Sequence, residues 1–169
     1  FSSSEISEQI DLMDSRSPAD GAAVVAKAWV DPQFKKRLLQ NGVSAVAEIG
    51  FDLGPMHLVV VENTEEVHNL IVCTLCSCYP RNLLGLPPDW YKTREYRSRA
   101  VKEPRSVLNE FGVFLPEKTS VRVHDSTADM RYIVLPKRPE CTSGLTETEL
   151  ASLVTRDSMI GTGIIKEPQ

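Results

Sequence analysis

The chain has 169 residues, of which 41% are hydrophobic and 25% are charged, and its net charge is −4 at pH 7. This composition is typical of a globular protein and argues against a disordered chain or a general nucleic-acid binder. The sequence has no apolar run long enough to span a membrane and no secretory segment, so we expect a cytoplasmic protein without membrane association.

Helix signals dominate the first fifth of the chain. A capping box at Ser2 and Glu5 predicts one helix. Ser17-Pro18 predicts the start of another helix, with the serine as N-cap and the proline at the first helical position. A third helix is expected to begin at Asp31-Pro32 and to stop at Asn41-Gly42.

The middle of the chain changes to short apolar runs that are rich in β-branched residues. Residues 58–61 and 70–72 are predicted strands. The prolines and glycines of residues 80–88 predict an ordered loop without helix. A short helix is expected after Pro104, and it should close at Gly112.

The last part of the chain combines two strands with a final helix. Residues 121–124 and 132–135 are predicted strands, and residues 126–129 are predicted to form the turn between them. Thr146 and Glu149 form the capping box of the last predicted helix.

This mixture of helices and strands favours an α+β fold over a regular βαβ repeat. We divide the chain into a helical N-terminal arm, residues 1–50, and an α+β domain, residues 51–169. An amphipathic arm of this kind either wraps around a partner or packs on its own domain, and the sequence leaves both alternatives open.

Three of the four cysteines, Cys73, Cys76 and Cys78, fall within six residues. They are too close together for ordinary structural disulfides, so the cluster indicates metal binding or redox chemistry. The predicted strand at residues 70–72 leads directly into it. Cys141 stands alone in a loop, where we expect a thiol without a catalytic role.

The spacing of the cluster suits one metal ion bound at a tight turn. The thiolates of Cys76 and Cys78 can bracket the ion, and the backbone amides of Ser77 and Cys78, once deprotonated, lie between those thiolates. Cys73 then binds from an axial direction, which leaves a sixth octahedral position open. Trivalent cobalt or iron suits this set of ligands.

Zinc is the alternative that the spacing leaves open. Zinc prefers four tetrahedral ligands, so it would need a fourth ligand such as His57, His68 or His124. The chain would then be a non-catalytic zinc-binding or regulatory module.

The residues around the cluster resemble the α subunit of nitrile hydratases. The matching segments include residues 71–92 with the cysteines, Tyr96-Arg97-Ser98-Arg99, residues 131–136 and Val154-Thr155-Arg156-Asp157. The resemblance implies a helical arm followed by a metal-binding domain with α-β-β-α layers. It also implies a β-subunit partner, with the active site at the interface between the two subunits.

The resemblance further implies the site residues. Cys73, Cys76, Cys78 and the amides of Ser77 and Cys78 would bind the metal, with Cys76 oxidised to sulfinate and Cys78 to sulfenate. The metal would act as a Lewis acid on a nitrile, and water or the Cys78 sulfenate oxygen would attack it to give the amide. Ser77 would contribute a hydroxyl hydrogen bond, and Arg131 would lie close to the site.

Two positions resemble the cobalt class of this family, Thr74 after the first cysteine and Tyr79-Pro80 after the last. The resemblance therefore implies Co³⁺ in preference to iron, together with a maturation (activator) protein. A chain produced without that protein and the β subunit is open to remaining metal-free or to self-associating.

Arg81 departs from cobalt nitrile hydratases, which usually carry tryptophan at this position. Thiocyanate hydrolase, a related cobalt enzyme, carries arginine there, so its metal-binding subunit is the alternative. The basic stretch from Arg94 to Arg105 is predicted to form salt bridges with carboxylates and not to bind nucleic acid.

Overall fold

The computed structural model describes residues 17–73 and 78–168. This part of the chain combines helices with two small parallel sheets, which confirms the predicted α+β class. The elements, in chain order, are α1 (Ala19–Val30), α2 (Pro32–Gln40), α3 (Gly42–Glu48), β1 (His57–Glu62), β2 (Val67–Cys73), α4 (Arg81–Leu84), a 3-10 helix (Asp89–Lys92), α5 (Arg94–Lys102), α6 (Pro104–Glu110), β3 (Ser120–Ser126), β4 (Met130–Leu135), α7 (Glu147–Leu153) and α8 (Arg156–Ile160). The capping box predicted at Ser2 and Glu5 lies outside the described residues.

The start of α1 differs from the prediction by one residue. Pro18, and not Ser17, occupies the N-cap position, and α1 begins at Ala19. The Ser17 hydroxyl still accepts a hydrogen bond from the Ala19 amide at 3.3 Å. The serine therefore contributes to the helix start from one position further out.

α2 begins as predicted, because the Asp31 side chain accepts hydrogen bonds from the amides of Gln33 and Phe34. The predicted stop of α2 at Asn41-Gly42 is confirmed, but a further helix, α3, which was not predicted, begins directly at Gly42. Asn41 ends α2, and its side chain accepts a hydrogen bond from the Ser44 amide and so caps α3. One asparagine thus joins two helices without a loop.

All four predicted strands are present, and they pair in two separate parallel sheets. β1 pairs with β4, and β2 pairs with β3. The predicted turn is also present, since the Thr127 amide donates to the Met130 carbonyl at 2.8 Å. This turn carries the chain from β3 in one sheet to β4 in the other.

Helices and sheets form four layers, as the resemblance implies. α2 and α3 pack on β1, the two sheets contact each other, α5 packs on β2, and α6 packs on β3. One apolar core runs through the layers and includes Val24, Leu38, Leu70 and Ile133, all fully buried. Residues 19–48 of the predicted arm therefore pack on their own domain.

The segment after the cysteines is more helical than predicted. The expected non-helical loop at residues 80–88 contains α4, and a 3-10 helix follows it. α5 has no counterpart in the prediction, because it is short and charged and buries only Tyr96 and Ala100. Its start is set by Thr93, whose side chain accepts a hydrogen bond from the Tyr96 amide.

Ion pairs occupy part of the basic stretch. Arg97 pairs with Asp125, and Arg99 pairs with both Glu103 and Glu110. The prediction of salt bridges is confirmed for these two arginines. Within the described ranges, none of the helices is long and apolar enough to cross a membrane.

The C-terminal helices close the fold. The capping box predicted at Thr146 and Glu149 is confirmed. The helix that follows, α8, ends at Gly161, which has a φ of 100°. A β-carbon at Gly161 would collide with the backbone carbonyl of Asn69 in β2, so only glycine allows this close approach.

We predict that Gly161→Ala destabilises the protein far more than Gly112→Ala. Both glycines end a helix with positive φ, but a β-carbon at Gly112 would meet no atom within 4 Å. Gly112→Ala should therefore lower the free energy of unfolding by about 1–2 kcal/mol, because alanine is strained in the left-handed conformation. Gly161→Ala should lower it by more than about 4 kcal/mol, because the backbone at Asn69 must also move. Denaturant unfolding of both variants measures the difference, and equal losses would contradict the collision.

Candidate metal centre

Two of the predicted thiol ligands meet at the end of β2. Cys73 is the last residue of that strand, Cys78 follows five residues later, and their exposed fractions are 8% and 0%. Their Cα atoms are 6.1 Å apart, and their sulfur atoms lie in direct contact. The other predicted ligands, Cys76 and Ser77, lie outside the described residues.

The meeting of the Cys73 and Cys78 thiols fits the metal or redox chemistry that the spacing of the cluster indicates. The two Cα atoms lie within the usual range for a disulfide. A disulfide and a shared metal ion are alternative products of one pair of thiols, because metals bind the thiolate. Metal binding by this pair therefore requires its reduced form.

Ser126 lies beside Cys73. It is the last residue of β3 and stands opposite Cys73 in the parallel register. It is fully buried, and its hydroxyl accepts a hydrogen bond from the Tyr132 amide of β4 at 3.2 Å. The end of β2 is thereby fixed to strands of both sheets.

Some buried hydrogen-bond donors lack a well-formed hydrogen bond. In the described part of the chain they are the hydroxyl of Tyr79, which directly follows Cys78, the hydroxyl of Tyr91, which lies beside the Ser126 hydroxyl, and the Nε atoms of Arg97 and Arg131. Each such buried group costs about 1–3 kcal/mol. Thiolates and oxygens bound to sulfur are strong acceptors for such donors. The surroundings therefore fit an anionic set of metal ligands.

The two tyrosines lie next to each other. Tyr79 directly follows Cys78, and the ring centroids of Tyr79 and Tyr91 are 5.1 Å apart in an edge-to-face arrangement. Burial raises the pKa of both hydroxyls, so each keeps its proton and can donate at neutral pH.

The two arginines lie on different elements near Ser126. Arg97 of α5 forms its ion pair with Asp125, the residue before Ser126. Arg131 lies on β4 directly before Tyr132, and its Nε atom is buried. Arg131 is therefore not an ordinary exposed arginine on a strand surface.

Sequence reasoning did not find Tyr91, Ser126 or Asp125 as neighbours of the cysteines. It placed Ser126 in a turn. Their proximity depends on the pairing of β2 with β3, which strand patterns in a single sequence do not reveal.

Two of the three histidines make hydrogen bonds away from the cysteines. His68 Nε2 donates to the Gly161 carbonyl at 2.7 Å, and its Nδ1 lies 3.3 Å from the side-chain Nδ2 of Asn63. His124 Nε2 donates to the side-chain oxygen of Asn69 at 2.8 Å. Within residues 17–73 and 78–168, no three His, Cys, Asp or Glu side chains could hold a metal ion together.

A cleft of about 430 Å³ lies beyond the ends of β1 and β4, where it is lined by Asn63, Thr64, Pro136 and Lys137 among others. None of the residues that line it is a cysteine or one of the four donors without partners. This cleft is therefore separate from the candidate metal centre.

The comparison with protein families matches residues 1–163 to "Nitrile hydratase, alpha chain". Nitrile hydratase subunit alpha from Rhodococcus sp is 56% identical over 153 residues, which cover 89% of this chain and 77% of that protein. The cobalt-containing nitrile hydratase subunit alpha from Pseudonocardia thermophila is 56% identical over 146 residues, or 85% of this chain and 72% of that protein. Thiocyanate hydrolase subunit gamma from Thiobacillus thioparus is 43% identical over 168 residues, which cover 92% of this chain and 69% of that protein.

Solved structures agree with the sequence relatives. A histidine-to-alanine double mutant of the Fe-type nitrile hydratase from Comamonas testosteroni Ni1 superposes with a TM-score of 0.91, at 46% identity, over 99% of this chain and 83% of that chain. A recombinant thiocyanate hydrolase with partially modified cobalt centres gives a TM-score of 0.92 at 41% identity. This superposition covers 98% of this chain and 82% of that chain.

The layered α+β fold and the buried thiol pair at a strand end define a chain with a thiol-based site. The chain belongs to the nitrile hydratase α-chain family, and it is therefore an enzyme subunit. The family and the fold type predicted from the cysteine block are confirmed.

We predict that protonation of His68 destabilises the fold below pH 6.5. Burial is the main cause that lowers the pKa of His68 from its ordinary value of 6.5, so the folded chain keeps this ring neutral. The unfolded chain binds a proton first as the pH falls. The stabilisation is therefore complete above pH 6.5 and is lost as the pH falls towards the lower pKa of the folded state.

Denaturant unfolding at pH 8 and pH 5.5 measures this effect. His68→Gln should lose about 1–3 kcal/mol at pH 8, because a buried partner is left unpaired, and its stability should fall less on acidification. His57→Gln is the control, since His57 is exposed and should behave like the wild type. An equal acid-induced loss in His68→Gln and wild type would contradict the assignment.

Proposed function

We propose that this chain is the metal-binding α subunit of a cobalt nitrile hydratase, which hydrates a nitrile to the amide. The observation that carries the proposal is the meeting of Cys73 and Cys78 at the end of β2 in a chain of this family. In the proposal Cys73, Cys76 and Cys78 bind through sulfur, and the backbone nitrogens of Ser77 and Cys78 complete the ligand set. Bound cobalt would supply a Lewis acid that polarises the nitrile.

Residues of the chain would make three contributions to this chemistry. Cys76 as sulfinate and Cys78 as sulfenate would present oxygens at the site, and Ser77 would add a hydroxyl. Arg131 would balance the negative charge of these ligands, because its buried Nε atom has no other partner. Cys78, Ser77 and Arg131 are therefore the proposed catalytic residues.

Cobalt is proposed in preference to iron because of Thr74 and Tyr79-Pro80 in the cysteine block. Two relatives at 54% and 56% identity carry cobalt in their names, which supports this choice. An Fe-type enzyme is also similar at 46% identity, so metal analysis has to decide between the two metals.

The proposed assembly includes a nitrile hydratase β subunit and a maturation protein that loads the metal. The relatives are named as subunits, which supports a heteromer. We also propose the division into an arm, residues 1–50, and a metal-binding domain, residues 51–169, and a cytoplasmic location, where thiols stay reduced for metal loading.

Co-expression with the β subunit and maturation protein encoded beside this chain tests the proposal. We predict one cobalt ion per chain, two added oxygens on Cys76, one on Cys78, and amide formation from a nitrile. Cys73→Ser and Cys78→Ser should lose the cobalt, whereas Cys141→Ser should keep it, because Cys141 is exposed and free. Metal analysis, peptide mass and amide release are the measurements.

Two outcomes would contradict this proposal. A cobalt-loaded complex that hydrates none of a panel of aliphatic and aromatic nitriles would reject the activity. Zinc in place of cobalt, with no added oxygen on Cys76 or Cys78, would support a non-catalytic zinc-binding module.

Thiocyanate hydrolysis is the second candidate function, and Arg81 is the observation that favours it. Arg81 is the half-buried first residue of α4, three residues after Cys78, and its amide donates to the Tyr79 carbonyl at 2.8 Å. Thiocyanate is an anion, so a guanidinium near the site would attract it, whereas a neutral nitrile gains nothing from this charge. The 43% identity to a thiocyanate hydrolase subunit supports this alternative.

Arg81→Trp distinguishes the two substrates. If thiocyanate is the substrate, the wild-type complex releases carbonyl sulfide and ammonia, and the variant should lose at least about tenfold of kcat/KM, equivalent to about 1.4 kcal/mol. The same variant should retain activity on an uncharged nitrile. A wild-type complex that releases no carbonyl sulfide would reject this second function.

A further inference from the structure

The Asn41-Gly42 junction between α2 and α3 is chemically reactive by its composition. It is the only Asn-Gly pair in the chain. Asparagine is a thermolabile residue type, because the backbone nitrogen of the next residue can attack its side-chain carbonyl carbon. A following glycine leaves that nitrogen most accessible, since glycine has no side chain to shield it. The proposed metal chemistry makes no use of this junction.

The fold requires the two residues of the pair for different reasons. Asn41 is exposed and caps α3, because its side-chain oxygen accepts a hydrogen bond from the Ser44 amide at 3.0 Å. Gly42 is buried against β1, where a β-carbon would lie 2.5 Å from the Leu58 carbonyl oxygen. A bulkier residue that would shield the asparagine is therefore not accommodated at position 42.

The backbone nitrogen of Gly42 is a free nucleophile with respect to its own helix. Gly42 is the first residue of α3, and the first four amides of a helix have no partner within that helix. The cap hydrogen bond to Ser44 holds the Asn41 side chain in one orientation. Reaction therefore requires that the cap opens, which is a local event at a helix end.

We propose that Asn41 is a site of spontaneous modification, at which the Gly42 nitrogen displaces ammonia from the side-chain amide. A bond forms between the Gly42 nitrogen and Cγ of Asn41, and the side-chain nitrogen leaves as ammonia with the proton of the attacking nitrogen. Water then opens the five-membered imide at either carbonyl, which gives aspartate or isoaspartate. Water is the only co-reactant, so this inference does not depend on the proposed function.

The two products change the fold in opposite directions. Aspartate keeps an oxygen that can accept the Ser44 hydrogen bond, and its charge is favourable at the start of a helix. Isoaspartate carries the backbone through the side chain and so adds one methylene between α2 and α3, which are joined without a loop. Gly42 would then leave its place against Leu58, which stands opposite Arg131 in the pairing of β1 with β4. Modification at the surface would in this way displace the strand that faces Arg131.

Incubation of the full-length chain at pH 8, followed by peptide mass analysis, tests the reaction. Asn41 should lose its amide in the folded chain about 2- to 30-fold more slowly than in urea, which is the factor that a helix cap supplies. Asn109 is the internal control, because it is also exposed but precedes Glu110 in α6, and it should keep its amide. An intact Asn41 after the unfolded chain has reacted would overturn the inference, as would equal loss at Asn109.

Two variants separate the reaction from its consequences. Asn41→Ser retains a hydroxyl that caps α3 but has no amide to lose, so it should show no mass change and a melting temperature close to the wild type. Asn41→Asp reproduces one product and should melt at the wild-type temperature or above it. The isoaspartate form, separated from aged wild type, should melt about 2–8 °C lower. An isoaspartate form as stable as the wild type would refute the displacement of Gly42.

Discussion

The parallel pairing of β2 with β3 determines where the cysteine pair lies. The register sets Cys73 opposite Ser126, and a shift by one residue would turn the Cys73 side chain to the other face of the sheet. The hydroxyl of Tyr96 holds α5 on the same strand through the Ile71 carbonyl. Arg97 of α5 therefore reaches Asp125 beside Ser126, so the position of this ion pair depends on the same strand pairing.

Buried polar side chains with hydrogen-bond partners and those without them lie in different parts of the molecule. His68 and Asn69 belong to a network in which each buried side chain has a partner, and this network joins β2 to the C-terminal segment. Among the described residues, the donors without partners lie instead on Tyr79, Tyr91, Arg97 and Arg131. Buried groups of this kind weaken a fold unless a bound group supplies the missing hydrogen bonds.

Local signals in the sequence predict the elements well but not their pairing. The apolar runs and the caps at Asp31 and Thr146 identify strands and helices correctly, because each signal lies within a few residues. α5 carries too few apolar residues to be recognised. The cysteine spacing predicts a metal site from local sequence alone, whereas the approach of Ser126 to Cys73 depends on long-range strand pairing.

The difference between local signals and long-range packing also bears on how substrates are selected. If the metal is held as proposed, all of its protein ligands come from the six residues from Cys73 to Cys78. Relatives named for nitriles and for thiocyanate share this fold at 41–56% identity. Under the same proposal, their substrates would be distinguished by residues that border the ligands, such as Arg81 here, and by the partner subunit. A charge at that border attracts an anion without altering the metal ligands.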